Sequence, residues 1–190
     1  MSIGGQTAGD RGRTRSDCVV GREAMIDPGY VQRMAHYNQW QNDNLFGAAD
    51  GLSDAERRRD RGAFFGSIHA TLNHLLWADR IWMSRLAGTP RPAGGIAQSV
   101  CLHDDWRDLK RERSAFDTVM LDWANRLDPA ALTGELRWYS DAMKAELHRP
   151  KWLLVAHMFN HQTHHRGQVH CMLTQAGCKP GDTDLPFAPT

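Results

Sequence analysis

At 190 residues the chain is long enough to bury one sizeable core and short for two. Its 23 Lys and Arg stand against 22 Asp and Glu, so no basic field favours nucleic acid or an acidic membrane surface. A hydrophobic content of 41% excludes a wholly disordered chain, and no apolar run approaches the roughly 20 residues of a membrane-spanning helix.

Residues 1–26 are rich in Gly, Arg and Ser and show no hydrophobic period. They lack the continuous apolar stretch of a signal peptide, and are expected to form a disordered extension with Met25 as an alternative start. The folded domain is expected over residues 27–190, entered at Asp27-Pro28, where proline suits a first helical turn. A first helix is predicted from Tyr30 to Ala49, with Val31, Met34, Ala35, Leu45, Phe46 and Ala49 on an inward stripe. Asn38 and Asn42 fall on that stripe, either lining a polar pocket inside the fold or sitting at its rim.

Ser53-Asp54-Ala55-Glu56 has the form of a capping box and opens a short helix. A long helix follows over residues 66–87, apolar nearly all round and therefore central, until Gly88, Pro90 and Pro92 end it. After a Gly/Pro-rich linker, a more charged and so more exposed helix is predicted over residues 104–127. Residues 133–149 suit a short hairpin or an irregular loop. The last helix is predicted from Pro150 to Ala176, with Gly177 closing it. Four long helices and no strand repeat argue for an all-α four-helix bundle. The cysteines, Cys18, Cys101, Cys171 and Cys178, are scattered without a C-x-x-C pair, which implies a reducing, cytoplasmic setting.

Ten histidines and seven tryptophans stand out. In the last helix His157, His161 and His165 recur every fourth residue, with His164 and Gln168 beside that line. Residues four apart differ by only about 40° around a helix, so two such imidazoles can converge on one ion. A third ligand must come from elsewhere. His74, on a face of small and apolar residues in the second long helix, is the candidate, since an unpartnered histidine there is costly to bury. His69 points about 140° away from it. The same spacing also suits histidines satisfied within a core, and alone it leaves both readings open. A metalloprotease of the H-E-x-x-H design is disfavoured, because Gln162 follows His161 and Met158 follows His157. Arg166 reads as a structural ion-pair residue, and Trp40, Trp77 and Trp82 as pocket or packing residues.

Three segments in this order, HYNQWQNDNL, SIHATLNHLLWADRIW and above all NHQTHHRGQ within the last helix, resemble the DinB-like family of metalloenzymes that includes YfiT-type proteins. The resemblance covers most of residues 30–187. It implies an up-down-down-up four-helix bundle and a three-histidine metal site, carried here by His74, His161 and His165. It further implies nickel or zinc as the ion, water at the open positions, a homodimer, and for some relatives a low-molecular-weight thiol as cosubstrate. The expectation that follows is a metal-dependent enzyme activating a thiol or water against a small-molecule substrate, of S-transferase, isomerase or hydrolase type. His164 and Gln168 would support the ligands or touch substrate, and Asn38 would hydrogen-bond within the cavity. A non-catalytic metal-binding protein and a structural bundle with bare histidines are the alternatives. No nucleic-acid or membrane partner is expected.

Overall fold

Asp27 and Pro28 open the first helix for the reason their order suggests. In α1 (Pro28–Asp50) the Asp27 carboxylate accepts the Tyr30 N–H at 2.8 Å, and Pro28 occupies a position where no N–H is needed. The computed structural model describes residues 24–141 and 143–189, so the expected extension lies, up to residue 23, outside the described residues. Ser53 caps the short α2 (Asp54–Arg58), while the Glu56 carboxylate is engaged by Arg59 and Arg61, each at 2.7 Å. The long central helix α3 (Ile68–Leu86) begins at Ser67, whose hydroxyl accepts the Ala70 N–H. It starts after Gly66 because that residue has a φ of +76° and pairs with Ala63 in a tight loop.

The Gly/Pro linker contains a short helix that periodicity does not reveal, α4 (Ile96–Ser99). α5 (Trp106–Asn125) is capped by Asp105, which accepts the N–H groups of Arg107 and Asp108. A 3₁₀ turn over Pro129–Leu132 leads to a hairpin, β1 (Glu135–Ser140) antiparallel to β2 (Ala145–Pro150), with Trp138 opposite Leu147. The last long helix, α6 (Lys151–Gln175), ends where Gly177 takes a φ of +82° and the Cys178 N–H returns to the Leu173 carbonyl at 2.9 Å. The tail then runs back along α1, held by Tyr37 Oη donating to Thr183 O and Gln41 Nε2 donating to Asp182 O. The chain is therefore mostly helical but not all-α: the hairpin, one of two options for residues 133–149, is a genuine two-stranded sheet.

α1 packs against α5 and α6, and α3 against the same two helices. Leu45, Leu72, Leu76, Met120, Met158, Phe159 and Leu173 fill the space between them. Removing each such side chain from water contributes about 1.5–3 kcal/mol before the entropy of ordering is set against it. The expected stripe of α1 is buried except for the half-buried Met34, and Asn38 and Asn42 lie fully inside with it.

α5 is more exposed than the central α3, as its charge suggests, yet it buries charge of its own. Arg113 is only 3% exposed and donates to Asp79 Oδ2 at 2.6 Å and Asp117 Oδ1 at 2.8 Å. Asn42 donates to both Asp117 oxygens, and Gln162 donates to Asp79 Oδ1 at 2.6 Å. Four helices thus meet in one paired polar cluster. Arg166 departs from its sequence reading. No carboxylate of the described residues lies within 4 Å of it; it donates to Thr163 Oγ1 and lies over the Tyr37 ring, and burial pulls its guanidinium down to about 10. Among the described residues no helix is long and apolar enough to cross a membrane.

Candidate metal centre

α3 and α6 lie side by side, and each brings histidine to the shared seam. On α6, one turn separates His161 from His165, and their ring centres are 4.5 Å apart. His74 reaches across from α3, its ring centre 5.3 Å from that of His161 and 5.0 Å from that of His165. One ring nitrogen from each residue lies within 4.8 Å of the others. His74 Nε2 and His161 Nε2 are 3.4 Å apart. Two nitrogens of a tetrahedral zinc site, each bonded at about 2.0–2.1 Å, stand roughly that far apart. The donor set fits a borderline divalent ion such as zinc or nickel, which favours imidazole.

The tautomers of two of these rings follow from their neighbours. The Ser99 hydroxyl is 2.6 Å from the Ile96 carbonyl, which can only accept, so the hydroxyl proton is given there. His74 Nδ1, 2.8 Å from the same oxygen, must then be the donor, and its Nε2 is left bare toward His161. The Gln168 Oε1 atom likewise accepts from His165 Nδ1 at 2.8 Å, leaving His165 Nε2 unprotonated. The Gln168 amide nitrogen donates in turn to His164 Nε2 at 3.3 Å. Support of this kind from a hydroxyl or amide is what a ligating histidine needs.

All three rings are held neutral. Burial, with His165 adding to it, pushes His74 down to about 4. Burial, with His165 and His74 adding to it, pushes His161 down to about 3. Burial also lowers His165, against the bond to Gln168. No carboxylate stands among the three, so the cluster offers lone pairs without negative charge.

The surroundings come from segments distant in sequence. Phe65, in the loop before α3, lies face to face with His74 at 4.0 Å and 5.3 Å from His165, closing one side against water. On the other side a cavity of about 310 Å³ opens onto His74, His157 and His161. Trp77 and Trp82 from α3 and Trp138 from β1 form much of its wall. Gly94, in the linker, has a φ of +73°, and a Cβ there would come within 2.9 Å of Gln98 Cβ. Glycine at this point lets α4 fold tightly enough to deliver Ser99 to His74.

The expected ligands His74, His161 and His165 are thus brought together. His164 and Gln168 stand in a chain behind His165. Asn38 is buried on α1 with neither side-chain polar atom partnered, outside the cavity wall. His157 stays out of the cluster but lines the cavity, and His69 turns to Asn73 and Trp106 instead. Trp40 packs on Tyr37, away from the cavity. Gln162 faces Asp79 in the core, so its position beside His161 provides no base to the site. Ser99, Phe65 and Trp138 escape the sequence reading. Only the Gly-Gly pair before α4 hints at the first, and nothing local marks the other two.

Two comparisons bear on this geometry. Residues 25–190 match the family model described as DinB family. Over 156 residues the chain is 22% identical to Protein DinB of Bacillus subtilis (strain 168), a match that covers 82% of this chain and 91% of that protein.

Proposed function

The chain belongs to the DinB family, and from that premise we propose that it is a divalent-metal protein whose ion, nickel or zinc, is held by His74, His161 and His165. The observation that carries the reading is the convergence of three neutral imidazoles from two helices, two of them fixed with Nε2 bare. The two bare nitrogens of His74 and His165 call for a partner. Depressed basicity disfavours a second proton on His74, and the neutral His161 ring has at most one N–H to offer. A cation is the group that suits all three.

The cluster opens on a cavity, which favours an enzyme over a closed structural staple. The reaction proposed is attack of a thiol or water on an electrophilic small molecule. When bound, a divalent ion with three neutral ligands lowers the pKa of a thiol or water beside it toward neutrality. The protein's own part is positional. Ser99 and Gln168 orient the rings, Phe65 keeps bulk water from one side, and the tryptophan wall gives the substrate an apolar surface. His157 lines the cavity with a ring that burial keeps neutral, so its free nitrogen is the base placed to take up the proton the nucleophile loses.

The finer architecture is part of the same proposal: an up-down-down-up four-helix bundle over residues 27–190, preceded by an extension. The mutual packing of α1, α3, α5 and α6 supports it. A homodimer rests on the family resemblance. A cytoplasmic setting rests on Cys101, Cys171 and Cys178 being free thiols.

Elemental analysis of untagged protein, beside a variant carrying His161→Ala and His165→Ala, tests the metal. A stoichiometric divalent ion in wild type and none in the variant is expected; wild type purified without metal would end the proposal. Consumption of a low-molecular-weight thiol against a panel of electrophiles then separates an enzyme from a metal-binding protein without turnover.

A further inference from the structure

Arg85 is an unusual cation. It lies in the last turn of α3, and its guanidinium sits 4.8 Å from the Trp82 ring centre and 5.7 Å from that of Trp138. Arg57, Arg61, Arg80 and Arg113, the other arginines drawn back from solvent beside it, each have a carboxylate within 4 Å. Among the described residues Arg85 and Arg166 have none, and of these two only Arg85 faces the histidine cavity. Burial, with Arg91 adding to it, pulls the Arg85 guanidinium below the usual arginine range, against a weak pull from Asp141.

Apart from two further charged residues, Arg91 and Asp141, the cavity is apolar or neutral. Arg91 also lines it and pairs with Asp141 at 3.3 Å, which leaves the charge of Arg85 uncompensated beside neutral histidines. Trp77, Ala78, Ile81 and Ile96 supply the rest of the apolar surface. The Trp77 indole N–H is already given to the Ala93 carbonyl, so this residue presents only its ring. A wall of three indoles with a stacked guanidinium at its edge recognises a flat apolar body carrying a negative group.

We infer that this cavity binds a small organic carboxylate, with Arg85 taking the carboxylate and Trp77, Trp82 and Trp138 taking an aromatic or unsaturated body. The inference rests on the reading of the cavity as the substrate site of the metal centre, and it names the substrate class. A carboxylate fits better than a phosphate because the site offers one planar fork. The Gly95 N–H, which might have supplemented it, is given to Gln98 Oε1 at 3.0 Å. A volume of about 310 Å³ holds a compact ligand and not a long chain.

The tryptophans report on their own occupant, so binding is read by intrinsic fluorescence on the full-length, zinc-loaded protein. Phenylacetate, phenylacetamide, acetate and benzylphosphonate are the probes. Phenylacetate is expected to bind about ten- to hundredfold more tightly than its neutral amide, the range for a hydrogen bond to a charged group. Acetate, which lacks the ring, is expected to bind more weakly than phenylacetate. Arg85→Gln is expected to erase the preference over the amide. Arg85→Lys, which keeps the charge and the stem but not the fork, recovers part of it and shows that the wall still folds. Equal binding of the amide, tighter binding of the phosphonate, or a preference that survives Arg85→Gln overturns the inference.

Repeating the titration after chelation separates this inference from the metal reading. A preference that persists without the ion assigns the carboxylate to Arg85. A preference that vanishes with the ion, while Arg85→Gln leaves it intact in loaded protein, assigns the carboxylate to the metal; the pocket then falls and the metal centre stands. If wild type takes up no ion yet still prefers phenylacetate through Arg85, the carboxylate pocket stands and the metal centre falls.

Discussion

The seam between α3 and α6 carries two polar clusters of opposite character. At one level Asp79 of α3 accepts from Gln162 of α6 and from Arg113 of α5, so donors meet acceptors. Beside it His74 meets His161 and His165, and the bare Nε2 atoms of His74 and His165 are both acceptors. Adjacent residues, His161 and Gln162, point into different clusters because neighbouring positions on a helix diverge by about 100°. Both clusters are costly to bury. The first offsets that cost internally, and its net worth lies in fixing how the helices meet. The second has at most one N–H, on His161, for two bare nitrogens. It so leaves room for something the chain does not supply, the mark of a site as against a strut.

The largest effect that tests this contrast is loss of the ion. His161→Ala with His165→Ala should abolish stoichiometric metal while moving the unfolding free energy of metal-free protein by about 1 kcal/mol or less. A large destabilisation of the metal-free variant would show that the histidines are struts as well. Arg113→Ala should do the reverse. It leaves Asp79 and Asp117 buried without their cation and should cost about 3–5 kcal/mol in denaturant unfolding. Retention of wild-type stability would break the distinction from the other side.

A subtler test acts through the orienting groups. Ser99→Ala removes the acceptor for His74 Nδ1–H and should weaken metal affinity about 10- to 100-fold in competition with a chromophoric chelator. Metal affinity unchanged by this substitution would mean that the tautomer of His74 is set elsewhere. A further test concerns acidity. His74 and His161 protonate in the folded chain only near 4 and 3, against an ordinary value of 6.5. The unfolded chain therefore binds more protons between those limits, and stability must fall as pH drops below 6.5. Urea unfolding of metal-free protein between pH 7 and pH 4.5 should show this slope, and the paired alanine variant should flatten it.

The same contrast explains what the sequence made legible. Helices α1, α3, α5 and α6 announce themselves through local rules: Asp27-Pro28 and Gly177 act within a turn, and the breakers Gly88, Pro90 and Pro92 end α3. The histidine pair on α6 was legible for the same reason, since an i, i+4 spacing is a property of one helix. His74 was reachable because it interrupts a face otherwise small and apolar. The burial of Arg113 and Asp117 was not legible, because four-apart charges look alike on an exposed helix and in a core. What decides between them is Asp79, on a different helix. Ser99, Phe65 and Trp138 were hidden by the same logic, since each reaches the site through a connection whose length says nothing of where it lands.

Trp138 has a consequence of its own. It comes from β1, with Ser140 and Asp141 after it, on a hairpin that joins α5 to α6 and contributes none of the three histidines. One part of the cavity wall is thus carried apart from the histidine cluster, while Trp77 and Trp82 share α3 with His74. Changes in the hairpin can retune which molecules are accepted while the four long helices keep their packing. A scaffold divided in this way lets specificity drift quickly around a slowly changing centre.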